Sequence, residues 1–126
     1  MNTPENLKYA KSDEWFDPTS GKVGITDYAQ SQLSDIVFLE ILAIVGESLT
    51  PRTAVASVES VKAAGEVYLP VAGKIAAING DLIQKPETLN TDPYNEGWML
   101  QVEASDVPTD LMDAAAYIEY CASREH

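Results

Sequence analysis

Cysteine and histidine are almost absent from this chain: Cys121 and His126 are the only residues of their kinds among 126. One thiol cannot close an internal disulfide, so nothing asks for an oxidising compartment, and a reducing cytosol, or an organelle matrix for a processed chain, is expected. One thiol and one terminal imidazole also cannot supply zinc-like coordination or a Ser/His/Asp or Cys/His nucleophile, so no metal site is expected. Cys121 falls beside an apolar stripe and reads as a packed thiol, with His126 at the chain end. Cations are scarce as well, with eight Lys and Arg against twenty Asp and Glu and a net charge of −12. Such a field repels phosphate backbones and anionic headgroups, which excludes nucleic acid and membrane surfaces as expected partners and leaves basic protein surfaces. Long hydrophobic runs are missing: Ile36 to Val45 is broken by Glu40 and is about half the ~20 residues that a bilayer demands. Residues 1–15 hold neither an apolar signal core nor an arginine-rich amphipathic stretch, so no targeting segment is read there. The glycines of "AGE" and "NGD" are single turn glycines, not a phosphate-binding loop.

What is present suits one globular domain over 1–126, with 45% hydrophobic and 22% charged residues. In "LKYAKSDEWFDPTSGKVGIT" the cluster Asp17, Pro18, Ser20 and Gly21 separates Trp15/Phe16 from Val23/Ile25, which predicts a hairpin. Thr26 or Asp27 can cap a short helix near 27–33, and the branched run "DIVFLEIL" predicts a buried strand. Strands are also expected over "AVASVES", "EVYLPV", "KIAAI" and "WMLQVEA", with turn-rich excursions at "VGESLTPRT" and "LIQKPETLNTDPYNEG". A C-terminal helix from about Pro108, capped by Asp106 or Thr109, would bury Leu111, Ala115, Ile118 and Ala122. Segments 45–60 and 79–105 share a faint order of Gly, acid, Leu, a Pro-containing turn and a strand ending in Val-Glu, as a pair of quasi-symmetric short sheets would give.

Carboxylate pairs such as Asp13/Glu14 read as solvated faces in so acidic a chain. Lys62 stands apart. No other cation lies between Arg52 and Lys74, and small residues, Ala63, Ala64 and Gly65, follow it. Val55, Val58 and Val61 also fit helical spacing, but Gly65 and the β-branched bias favour strand, turn, strand. An exposed lysine at such a turn is commonplace; one flanked by Glu59 and Glu66 with no competing amine is also what a lysine-modifying enzyme could read.

At these residues, "VESVKAAGEVYLPVAG" resembles the lipoyl-lysine segment of the glycine cleavage system H-protein family. "KYAKSDEW", "VGITDYAQSQLSDIVFLE" and "NTDPYNEGWML" extend the resemblance along nearly the whole chain in the family's order. It implies a mainly β, α+β fold, a lipoyl-type barrel-sandwich hybrid of two small antiparallel sheets with added helices. It also implies lipoate in amide linkage on Lys62, with Glu59 and Gly73 at positions that lipoate-attaching enzymes read. A protein of this kind is a carrier and not itself a catalyst. It would shuttle the aminomethyl group of glycine from the pyridoxal-phosphate-dependent glycine decarboxylase (P protein) to the tetrahydrofolate-dependent aminomethyltransferase (T protein), then be reoxidised by dihydrolipoamide dehydrogenase (L protein). Ser12, Glu14 and Glu66 match positions that shelter the loaded arm in a cleft. Asp13 departs from the family's usual histidine, which suggests local retuning.

Biotin carriers usually flank their lysine with methionines and 2-oxoacid dehydrogenase lipoyl domains usually precede it with aspartate, whereas "SVKA" does neither. An H-like lipoate relay outside glycine cleavage and a cofactor-free interaction module stay open. A small Schiff-base enzyme ranks below these, because Glu59 and Glu66 favour the ammonium form of the amine such a mechanism must deprotonate.

Overall fold

A computed structural model describes residues 1–124, so His126 lies outside the described residues. The chain alternates short strands and short helices: β1 (Lys8–Tyr9), β2 (Glu14–Phe16), β3 (Lys22–Ile25), α1 (Asp27–Leu33), β4 (Ile36–Ile41), β5 (Ser48–Leu49), β6 (Ala54–Ser60), β7 (Ala64–Tyr68), β8 (Ala72–Ile78), α2 (Gly80–Gln84), α3 (Thr88–Thr91), β9 (Leu100–Asp106) and α4 (Ala114–Ser123). All strand pairs are antiparallel, in a six-stranded sheet ordered β1-β2-β3-β9-β8-β5 and a three-stranded sheet ordered β4-β6-β7. The main core joins inner residues of both sheets, among them Val23, Leu39, Val58, Val67, Ile75 and Leu100. These are β-branched and leucine side chains at alternating positions, as sheet-on-sheet packing requires.

A second, aromatic core lies between the first strands and the helices α1 and α4. Tyr9 and Tyr117 stack there at 4.7 Å between ring centroids. The Trp15 indole N–H donates to the Pro93 carbonyl at 3.0 Å. Helix α1 begins where expected, with Thr26 Oγ1 accepting from the Ala29 N–H at 3.1 Å.

The sequence misplaces the last helix. It starts at Ala114, not near Pro108, and its cap is Asp113, which accepts from the Ala116 N–H at 2.9 Å. Its buried face is Ala114, Tyr117 and Cys121, while Ala115, Ile118 and Ala122 point to solvent. The stripe is rotated because Tyr117 supplies the large ring and the hydroxyl that the second core uses, which outweighs the aliphatic pattern. Cys121 is a buried thiol, as read from sequence. The turn-rich excursion contains α2 and α3, helices too short for periodicity to reveal, and "VGESLTPRT" contains β5. The internal echo holds at its strands, with Val58-Glu59 on β6 and Val102-Glu103 on β9 in different sheets, but Leu49 lies on β5 whereas Leu82 lies on α2.

Candidate functional site: the Lys62 turn and the Ser12 cleft

Lys62 lies at the tip of the β6–β7 hairpin and is exposed, together with Val61, Ala63 and Ala64. The turn is held mainly by one side chain. Ser60 Oγ accepts from the N–H groups of Lys62 at 3.2 Å and Ala63 at 3.0 Å, and donates to the Ala63 carbonyl at 3.1 Å. The Ser60 N–H closes the hairpin onto the Ala63 carbonyl at 2.8 Å. A further bond, from the Val61 N–H to the Asp35 carbonyl at 3.0 Å, ties the tip to the start of β4. The backbone beneath the lysine is therefore fixed while its side chain projects into water. Those are the conditions for presenting an amine to another protein.

Pairing of Ser57 with Glu66 and of Glu59 with Ala64 puts both glutamates on the outer face of the three-stranded sheet, because the intervening Val58 and Val67 are in the core. Both glutamates are exposed. Gly73 is buried on β8, away from this face, and has a packing reason to be glycine: a Cβ there would sit 2.3 Å from the Glu103 carbonyl oxygen of β9.

Ser12 and Glu14 come together at a cleft of about 350 Å³ whose walls include Ser12, Arg52, Tyr68, Pro70, Asp110 and Leu111. The lining is largely apolar carbon, and Arg52 and Asp110 form an ion pair of 2.9 Å at its rim. Glu14 lies behind Ser12 and is only 1% exposed, contrary to the solvated face expected from sequence. Its carboxylate accepts from the Ser12 hydroxyl through Oε1 and from the Tyr68 N–H through Oε2 at 3.0 Å. Burial pushes its pKa up to about 7, with the Ser12 and Tyr68 bonds pulling the other way and the neighbouring Asp13 charge adding to the rise. Glu66 does not line the cleft; it sits on the outer face of β7, between the Lys62 turn and Tyr68.

Sequence reasoning missed what Asp13 does. Its carboxylate accepts from Arg124 Nη1 at 3.1 Å and Nη2 at 2.7 Å, and from the Tyr117 hydroxyl at 2.8 Å. The Arg124 guanidinium lies over the rings of Tyr28 and Tyr120 at 4.3 and 4.2 Å. Its pKa is driven above the ordinary arginine value chiefly by the bonds to Asp13. The departure at Asp13 was the only signal in the sequence, and it named no partner.

Comparison with known proteins places this architecture. The sequence profile of the glycine cleavage H-protein family matches residues 7–124. The chain is 46% identical over 128 residues to the glycine cleavage system H protein of Nitratidesulfovibrio vulgaris (strain DP4), covering 100% of each. It is 50% identical over 117 residues to that of Deinococcus deserti, covering 93% of this chain and 96% of the relative. A crystal structure of a glycine cleavage system H protein from Mycobacterium marinum superposes with a TM-score of 0.84 at 30% identity, covering 98% of this chain and 99% of that one. Two antiparallel sheets without a closed barrel, carrying short helices, match that neighbour and bear out the expected lipoyl-type barrel-sandwich α+β fold. The chain belongs to the glycine cleavage H-protein family.

Proposed function

We propose that this chain is a single lipoyl-carrier domain that bears lipoate on Lys62 and serves glycine cleavage. It would carry the aminomethyl group of glycine from the pyridoxal-phosphate-dependent decarboxylase to the tetrahydrofolate-dependent aminomethyltransferase, and be reoxidised by dihydrolipoamide dehydrogenase. The observation that carries this reading is the exposed Lys62 at a hairpin tip whose backbone is held by Ser60. When bound, lipoate supplies a dithiolane capable of thiol exchange, chemistry that this chain's one buried thiol does not offer.

The chain's residues suit that group. An acylated lysine needs a rigid base and an unhindered tip, which the hairpin and its exposed alanines provide. Amide formation also removes the ammonium charge, so a carrier arm enters an apolar cleft with less desolvation cost. Ser12 and the apolar cleft walls would receive the arm, and Glu14 behind Ser12 would hold or accept a proton near neutral pH. Glu66 lines the approach along β7 and would attract a cationic cargo. We assign Glu59 to recognition by lipoate-attaching enzymes, and Gly73 to that role together with its packing role. The bacterial relatives support a cytoplasmic setting, and among the described residues no helix is long and apolar enough to cross a membrane.

The solvent exposure of Lys62 weighs against the Schiff-base alternative, which draws on burial to depress an amine pKa. Reconstitution tests the carrier role. The lipoylated chain, with decarboxylase and aminomethyltransferase from a bacterial relative, should support exchange of the glycine carboxyl carbon with bicarbonate, and Lys62→Ala should abolish it. Failure of the fully lipoylated wild-type chain to support exchange would leave a lipoate relay as the better reading.

A further inference from the structure

The edge strand β4 breaks the alternation that a half-buried strand should show. Its burial runs buried, exposed, exposed, buried, because a bulge between Ile36 and Phe38 inserts Val37 as an extra residue. Val37 is therefore 57% exposed and Phe38 48% exposed, side by side on a strand that, among the described residues, pairs only with β6. Both stand at the end of β4 nearest the Lys62 turn: Ile36 pairs with Ser60, Phe38 with Glu59, and Asp35 accepts from the Val61 N–H. Val61, the residue before Lys62, is 67% exposed. Scattered apolar residues on a surface are ordinary, but three large ones gathered against one lysine form a patch. Exposed acids, Asp35, Glu40, Glu59 and Glu66, stand around it.

We infer that Val37, Phe38 and Val61 form an apolar docking pad, ringed by acids, for the enzyme that acylates Lys62, and that this enzyme presents an apolar contact within a basic rim. The inference rests on the reading of Lys62 as the lipoyl site. Reach selects the occupant. A lysine extends its Nζ roughly 6 Å from the backbone, five bonds at about 1.25 Å of advance each. An enzyme that forms a bond at Nζ must therefore close onto the hairpin tip and the strand beside it. Enzymes that act at the far end of an acylated arm can work without touching this surface. In the acylation, the ammonium first gives one proton to solvent, and the Nζ lone pair attacks the carbonyl carbon of an activated acyl donor, a mixed anhydride or a thioester. The C–N bond forms, the C–O or C–S bond breaks and the phosphate or thiolate leaves with its electron pair, and Nζ gives up a second proton to a base or to the leaving group and keeps one as the amide N–H, with no change of oxidation state. Acidic charge on the carrier and basic charge on the enzyme would speed encounter, and the pad would fix orientation.

The test uses the unlipoylated full chain, a bacterial lipoate ligase supplied with lipoate and ATP, and intact mass as the readout of initial rates. The double variant Val37→Ser/Phe38→Ser should raise the KM for the carrier on the order of tenfold or more while leaving kcat within about twofold. Glu40→Lys, which alters only the exposed rim, should raise KM and weaken its dependence on salt. Ile44→Ser, an equally apolar and exposed position beyond the far end of β4, should change neither. Wild-type KM in both pad and rim variants, or an equal rise in the Ile44 control, overturns the pad. Absence of any mass gain on Lys62 in the wild-type chain itself overturns the lysine assignment, and the two failures are distinct because only the second abolishes modification everywhere.

Discussion

Removal of the Arg124 side chain should cost about 2–3 kcal/mol of stability. Breaking a buried ion pair by deleting one partner typically costs ~3–5 kcal/mol, and this pair retains 28% and 18% side-chain exposure, which screens part of that. Against the discount stand two aromatic contacts, to Tyr28 and Tyr120, worth about 0.5–1 kcal/mol each. At roughly 4 °C per kcal/mol for a chain of this length, Arg124→Ala should lower Tm by about 8–12 °C. The partner needs more care, because Asp13 holds φ at 76°, in the left-handed region. Asp13→Ala would add ~1–2 kcal/mol of backbone strain that has nothing to do with charge. Asp13→Asn tolerates that backbone and removes only the charge, so it is the proper arm of a double-mutant cycle.

The cycle Asp13→Asn, Arg124→Ala and the double variant, followed by urea and thermal unfolding, should give a coupling of about 1–2 kcal/mol. Arg124→Lys should recover little, since an ammonium cannot present the two parallel donors that the carboxylate accepts. If the two substitutions add within ~0.3 kcal/mol, the ion pair is ornamental and the reasoning fails. The stakes reach the cleft. Asp13 closes the turn from Ala10 to Glu14, with its N–H on the Ala10 carbonyl at 3.0 Å and its carbonyl receiving the Thr26 N–H at 3.0 Å. Ser12 and Glu14 lie on either side of it, so helix α4 holds the cleft's polar wall from outside.

Glu14 sets a pH dependence: with its folded pKa near 7 and its unfolded value near 4.5, the folded state binds more protons between them, so stability should fall as pH rises through that window and level off above it. Glu14→Gln should flatten the fall, which spans about 3 kcal/mol, and an unchanged difference in stability between urea titrations at pH 5 and pH 8 would refute the buried-acid assignment. Gly73→Ala should destabilise by at least ~3 kcal/mol, because the new Cβ meets a backbone carbonyl at 2.3 Å and no side chain can yield; an unchanged melting curve would contradict this. Lys62→Ala should leave Tm within about 2 °C of wild type while removing the lipoyl mass increment, and a large loss of stability would mean that the lysine packs.

What could be read from the letters divides along physical lines. The Lys62 hairpin was legible because Gly65 and the β-branched residues on either side of Lys62 favoured strand, turn, strand over the helix that Val55, Val58 and Val61 also fit, and pairing of β6 with β7 bears that out. Alternation predicted the individual strands, whereas the two antiparallel sheets were implied by the resemblance to the H-protein family. Helices α2 and α3, of five and four residues, carry no period to detect and owe their place to neighbours: Asn90 on α3 accepts from the Ile36 N–H at 2.9 Å and donates to the Ser34 carbonyl at 2.8 Å. Helix α4 shows the opposite failure. Its aliphatic residues mark one face, but the hydroxyl chain from Thr26 to Tyr117 to Asp13 fixes another, and no period within ten residues encodes partners some ninety to a hundred positions away.

Glu14 shows most clearly why a carboxylate's chemistry is a property of the fold. In the sequence it is one acid among twenty, next to another, and its exposure would be the safe assumption. All three residues of β2 are buried, so the strand offers no polar face on which to place it. Its charge is tolerable only because a hydroxyl two residues back and a backbone N–H from β7 converge on it. The Tyr68 N–H that satisfies it is at the far end of the strand that begins beside Lys62. The strand that presents the lysine at one end thus helps hold the cleft's buried acid at the other, and that shared support relates the two halves of the site.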